Sequence, residues 1–243
     1  MAVNTYEESF SDTLKKLAPA LITVGVFILL IVAGFFAINN FLGKPTTTGT
    51  TSATAAGLIK DSNPKVGKAD SQVKLIYIFD LQCPACKASN TTMLKVLDTY
   101  KDKVQFVYKN FPLPIHALAK PAAYAAQAVA NQDQTKFFDY KTRVYEQQDQ
   151  LSTSMLEDVA KSLGGIDIAK FNDDRNSKAV RDTIDKDVND ITSVDMPKSN
   201  FDAGNKINST PSFVLLKDGN VVQWWGGDPG IEEIKARIDK VLQ

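Results

Sequence analysis

Cys83 and Cys86 are the only cysteines in the chain, with Pro84 and Ala85 between them. Two sulfurs at this spacing can close a disulfide or supply half of a metal site. The flanking residues bear on that choice. Val73-Lys74-Leu75-Ile76-Tyr77-Ile78-Phe79 is apolar and rich in β-formers, and it reads as a buried strand. Beyond the cysteines, Met93, Leu94 and Leu97 recur at helical spacing. The pair therefore sits where a strand turns into a helix, the setting of a redox-active dithiol.

Placement dictates the chemistry. Cys83 falls at the expected N-cap and Pro84 at the first helical position, where its missing N–H costs nothing. The free amides of the first turn and the helix dipole then favour a thiolate on Cys83. In such motifs the thiol pKa drops from about 8.5 to about 3.5–7.5. Cys86 lies one turn in, more buried, with the higher pKa. This predicts a nucleophilic Cys83 and a resolving Cys86 that cycle between dithiol and disulfide. A structural disulfide is the competing reading. Structural zinc needs four ligands, and beyond the two cysteines the chain has one histidine, His116. Copper would call for nearby Met or His, and Met93 reads as core. No metal and no cofactor is expected.

Lys and Arg number 28, as do Asp and Glu, so no overall charge points to nucleic acid. Residues 1–16 are polar. Residues 17–38 carry no charge and are long enough to span a bilayer core of about 30 Å. The segment is too long for a cleaved signal, and its nearest small-x-small site, Ala53-Thr54-Ala55, lies well beyond it. It reads as an uncleaved single-pass signal-anchor. Lys15 and Lys16 on its N-terminal side put that end in the cytoplasm and the rest outside the cell membrane. Residues 39–62, with the run Thr46-Thr47-Thr48-Gly49-Thr50-Thr51-Ser52, form a flexible linker. Residues 63–243 form the folded domain.

Within that domain, Lys103–Lys109 alternates as a second strand, and Phe111-Pro112-Leu113-Pro114 ends it. A helical block follows, over about 114–200. Helices are expected at Ile115–Asn131, at Gln134–Gln148, from a Ser154/Glu157 capping box to Leu163, at Asp167–Phe171 and from Ser177 to about Asp195. Strands return at Ser212–Leu216 and Val221–Trp225, joined through Asp218-Gly219. Asp228-Pro229 is expected to open a last helix at Ile231–Leu242.

This order resembles the thioredoxin superfamily, and within it the DsbA-like thiol–disulfide oxidoreductases, over about residues 63–243. Four stretches carry the resemblance. Asn63 to Asp70 looks like the family's approach to its first strand. Phe79 to Cys86 looks like its active site, Lys109 to His116 like the start of its helical insertion, and Ser209-Thr210-Pro211-Ser212-Phe213 like its cis-proline loop. The resemblance implies an α/β thioredoxin-like fold with an inserted helical domain, preceded here by one transmembrane helix. It implies that Thr210-Pro211 is cis, faces the Cys83 sulfur and pairs with an extended substrate peptide. One departure is plain. Such proteins often bury an acid six residues before the first cysteine to move the resolving thiol's proton, and here that position is Tyr77. Asp80, the nearest acid, is a candidate tuning residue acting through water, or a carboxylate that caps the loop. His116 is a general-base candidate by type alone, against a surface or helix-start histidine. Trp224-Trp225 is a candidate peptide-binding site, although on a strand one of the two is expected to pack inward.

The expected activity is disulfide formation in exported proteins bearing free thiols. Recharging would come from a membrane-embedded, quinone-linked thiol oxidase. A disulfide reductase or isomerase is the alternative. A further one is a non-catalytic thioredoxin-fold scaffold that offers the helical block or the Trp224-Trp225 strand to a membrane partner.

Overall fold

The computed structural model describes residues 57–197 and 205–243. The expected membrane span over 17–38, the N-terminal segment before it and most of the linker lie outside the described residues. Among the described residues, no helix is long and apolar enough to cross a membrane.

Strands β1 (Lys65–Gly67), β2 (Val73–Phe79), β3 (Gln105–Asn110), β4 (Ser212–Lys217) and β5 (Asn220–Gly226) form one sheet in the order β1-β3-β2-β4-β5. β2 and β3 run parallel, joined through helix α1 (Pro84–Tyr100). The other pairings are antiparallel. Helices α2 (Ala119–Gln132), α3 (Gln134–Glu146), α4 (Thr153–Ser162), α5 (Ile168–Asn176) and α6 (Lys178–Ser193) fall between β3 and β4, and α7 (Ile231–Leu242) closes the chain.

β2 is central and covered on both faces, which is why it reads as an unbroken apolar run. Val73, Leu75, Tyr77 and Phe79 face one core with Phe106, Tyr108, Phe213, Trp225 and the buried side of α1. Ile76 and Ile78 face a second core with Val107, Val214, Trp224 and Ile191 of α6. In the first core, Tyr77 stacks on Phe79 with centroids 5.6 Å apart, and Phe213 on Trp225 at 5.1 Å. Such pairs add about 0.5–1.5 kcal/mol each beyond burial.

Several local expectations shift. Residues 115–118 are turn, so α2 starts at Ala119. The cap of α4 is Ser152, whose Oγ accepts from Met155 N at 3.1 Å. Glu157 instead pairs with Arg175 at 3.1 Å. α5 runs on to Asn176. Asp228 does not cap α7. Its carboxylate accepts from Gly230 N, and Gly230, at φ 88°, is the cap. Strand β1 was not anticipated, because three residues are too few to show a period. It pairs with β3 and ends at Gly67, φ 91°, where a Cβ would stand 2.4 Å from Val104 O. Trp224 and Trp225 are both buried, one in each core, so neither offers a peptide a surface. The Trp224 indole N–H donates to Pro197 O at 2.6 Å.

Candidate active site

Topology brings two distant segments together. β4 lies antiparallel beside β2, with Ser212 opposite Ile78. The residues just before β4 therefore flank those just after β2. That places Thr210-Pro211 beside Cys83, and the peptide bond between them is cis.

Cys83 is the N-cap of α1, extended at φ −73° and ψ 121°, with Pro84 opening the helix. Its carbonyl accepts from the amides of Cys86 and Lys87, both at 3.1 Å. As a thiol it donates to Thr210 O at 3.5 Å. Its pKa is lowered to about 5. The largest cause is a hydrogen bond from the Cys86 thiol. The Thr210 side chain and the amides of Cys86 and Ala85 add to it, and burial opposes them. The helix amides anticipated from sequence thus contribute, but the neighbouring thiol contributes more. Burial pushes the Cys86 pKa up, as does the bond it gives to Cys83. Cys83 is 6% exposed and Cys86 fully buried, so only the acidic sulfur is open to a partner. Both thiols are free in this structure.

Asp80 is buried at the end of β2. Its carboxylate accepts from Gln82 N at 2.8 Å, Leu113 N at 3.0 Å and His116 Nδ1 at 2.7 Å. It therefore ties the cysteine loop to the segment leading into the helical block, and it holds His116 as well. Tyr77 occupies the position of the family's buried acid. Its hydroxyl lies 3.4 Å from Cys86 O and 3.2 Å from Ser89 Oγ. Burial raises its pKa well above the ordinary phenol value, so it stays protonated.

The helical block supplies groups that the sequence did not single out. Gln148 donates its amide to Leu81 O at 2.8 Å and to Cys83 O at 3.1 Å. Tyr145 donates to Asp80 O at 3.4 Å, and Gln82 Oε1 accepts from Leu118 N at 2.6 Å. Lys141 is buried and bonds Asn90 Oδ1 of α1. Gln148 lies in the polar run Gln147-Gln148-Asp149-Gln150, which carries no periodic signal. Lys141 did carry one, a lysine on the apolar stripe of Phe137, Val144 and Tyr145.

A family model described as thioredoxin matches residues 60–240. The chain is 28% identical over 187 residues to a probable disulfide bond formation protein D of Bacillus anthracis, covering 73% of this chain and 77% of that one. Among solved structures, it is similar to oxidised BdbD from Bacillus subtilis, with a TM-score of 0.61 and 23% identity, covering 74% of this chain and 93% of that one. It is also similar to Wolbachia pipientis alpha-DsbA1, with a TM-score of 0.64 and 20% identity over 78% of this chain and 96% of that one. Matched by that model across its described domain, the chain belongs to the thioredoxin family.

Proposed function

We propose that the chain is a membrane-tethered thiol–disulfide oxidoreductase, outside the cytoplasm, that introduces disulfides into exported proteins through Cys83 and Cys86. A substrate thiolate attacks the Cys83 sulfur of the oxidised pair, the Cys83–Cys86 bond breaks, and Cys86 leaves with the electron pair and takes a proton. The substrate's second thiolate then attacks its own sulfur in the mixed disulfide. Cys83 leaves as a thiolate, the substrate gains a disulfide and the pair is left reduced by two electrons. Exchange with a membrane-embedded, quinone-linked thiol oxidase would reoxidise it. Pro84 and Ala85 tune the pair, and the Thr210 carbonyl beside Cys83 serves as an acceptor for an extended substrate backbone.

The observation that carries this reading is the placement of Cys83 at the N-cap of α1, 3.5 Å from the Thr210 carbonyl and with Cys86 buried behind it, which favours a thiolate on the outer sulfur. A stabilised thiolate lowers the free energy of the reduced state, which makes the disulfide the stronger oxidant. The relatives named for disulfide bond formation point the same way. Tethering rests on the uncharged segment over 17–38 and orientation on Lys15 and Lys16.

The test is the reduction potential of the pair, taken with protease protection of the full chain in its membrane. A potential between about −120 and −180 mV, with the domain protected from cytosolic protease, supports the reading. A potential near −270 mV marks a reductase, and a domain open to cytosolic protease removes the exported substrates.

A further inference from the structure

The geometry points to Lys141 as the group that exchanges a proton with Cys86 as the disulfide opens and closes. The inference rests on the exchange reaction proposed above and supplies what Tyr77 cannot. Lys141 projects from α3 toward α1 and is 1% exposed. Its Nζ donates to Asn90 Oδ1. Asn90 stands four residues beyond Cys86 on α1, on the same helix face. The amine also lies 5.4 Å from the ring centroids of both Tyr108 and Tyr145. Among the described residues, no carboxylate pairs with it. A buried, unpaired ammonium costs several kcal/mol, so the neutral amine becomes accessible. Burial accordingly lowers its pKa to about 7, opposed by the charge of Cys86.

The other titratable groups around it are poorly placed for this work. Burial pushes the pKa values of Tyr77, Tyr108 and Tyr145 up, so they hold their protons. The Asp80 carboxylate is engaged by Gln82, Leu113 and His116. Cys83 is the attacked sulfur. The His116 side chain is held on the Asp80 carboxylate at 2.7 Å and, among the described residues, makes no hydrogen bond to Asn90 or to either cysteine. Lys141 is left as the amine inside the cluster that can change charge near neutral pH.

On opening, a substrate thiolate attacks Cys83, the electron pair of the broken S–S bond goes to Cys86, and the Lys141 ammonium passes it a proton. The products are a Cys86 thiol and a neutral amine. On closing, the amine takes the Cys86 proton and the Cys86 thiolate attacks the Cys83 sulfur of a mixed disulfide. The Cys83–Cys86 bond forms and the partner leaves as a thiolate.

The test loads a cysteine peptide onto Cys83 of the full chain and follows its release by Cys86 across pH, in wild type and Lys141→Met. Wild type should show an inflection near neutral pH. Lys141→Met should lose it and release the peptide on the order of 10²-fold more slowly at pH 7. Alkylation of Cys83, measured alongside, reports on the first sulfur separately. The side-chain NMR titration of Lys141 in wild type needs no variant. It should show a midpoint in the neutral range that differs between reduced and oxidised protein. An unchanged release profile in folded Lys141→Met, or a Lys141 midpoint near the ordinary lysine value of about 10.4, overturns the inference while the exchange reaction stands. A wild type that forms no mixed disulfide at Cys83 overturns both.

Discussion

The carbonyl oxygen of Thr210 stands 3.5 Å from the Cys83 sulfur, although 126 residues lie between the two in sequence. The Thr210 hydroxyl is buried and has no hydrogen-bond partner among the described residues, while its side chain is one of the groups that lower the Cys83 pKa. This residue therefore meets the sulfur with a carbonyl acceptor and with a side chain that favours the thiolate. Thr210→Val removes the hydroxyl alone. It should raise the Cys83 pKa and leave stability unchanged or improved, since an unpaired buried hydroxyl is lost. Cys86→Ala should raise the Cys83 pKa further, by about one unit or more, because it deletes the largest cause. Thiolate absorbance titrations of the two variants rank them, and the reverse order would contradict the assignment.

Stability of the reduced protein should rise with pH. Between about 5 and 9 the unfolded chain carries a proton on Cys83 that the folded chain has lost, and the slope has the sign of that difference. The contribution is complete above the unfolded value and disappears as pH falls through the folded one. The oxidised protein has no thiol to titrate. The melting temperature of the reduced form, measured relative to the oxidised form, should therefore climb from pH 5 to pH 9. A gap that is flat across this range would count against a depressed Cys83 pKa.

Gln148→Ala should leave the carbonyls of Leu81 and Cys83 without their side-chain donor. The expected loss is about 1–3 kcal/mol in denaturant unfolding, with faster hydrogen exchange in the cysteine loop. An unchanged loop would mean that the helical block does not hold the site in place.

Asp187→Ala tests the second buried lysine. Lys109 Nζ pairs with Asp187 at 2.9 Å and donates to Leu58 O at 2.7 Å, while Asn63 donates to the same carboxylate at 3.0 Å. Removing the carboxylate leaves the buried ammonium with only the longer pairing to Asp190, at 3.8 Å, at a cost of about 3–5 kcal/mol. Restoring stability with Lys109→Met in the same chain would show that the poorly compensated Lys109 charge is the cause.

What could be read from the sequence was what rests on local rules. β2 announces itself because a strand covered on both faces must be apolar throughout. The cap of α1 follows from Cys83-Pro84, and the hairpin follows from Asp218-Gly219, both at positive φ. Where two local signals compete, the sequence misleads. Ser152 and Ser154 both offer a hydroxyl to α4, and Asp228-Pro229 mimics a cap whose helix begins one residue past Gly230. The support from Gln148, Tyr145 and Lys141 depends on how the helical block packs over the loop, and pairwise spacing does not encode that. Asp80 was legible as the nearest acid to the pair, but its three donors come from segments that only the fold assembles.

The depressed pKa of one sulfur underlies the activity proposed for this chain. Titrating the ultraviolet thiolate absorbance of the reduced chain, with Cys83→Ser as the blank, measures it directly. A midpoint near 5 for Cys83, with Cys86 unionised through the neutral range, is the expected result. A Cys83 midpoint at or above about 8, the range of an unperturbed thiol, would contradict it.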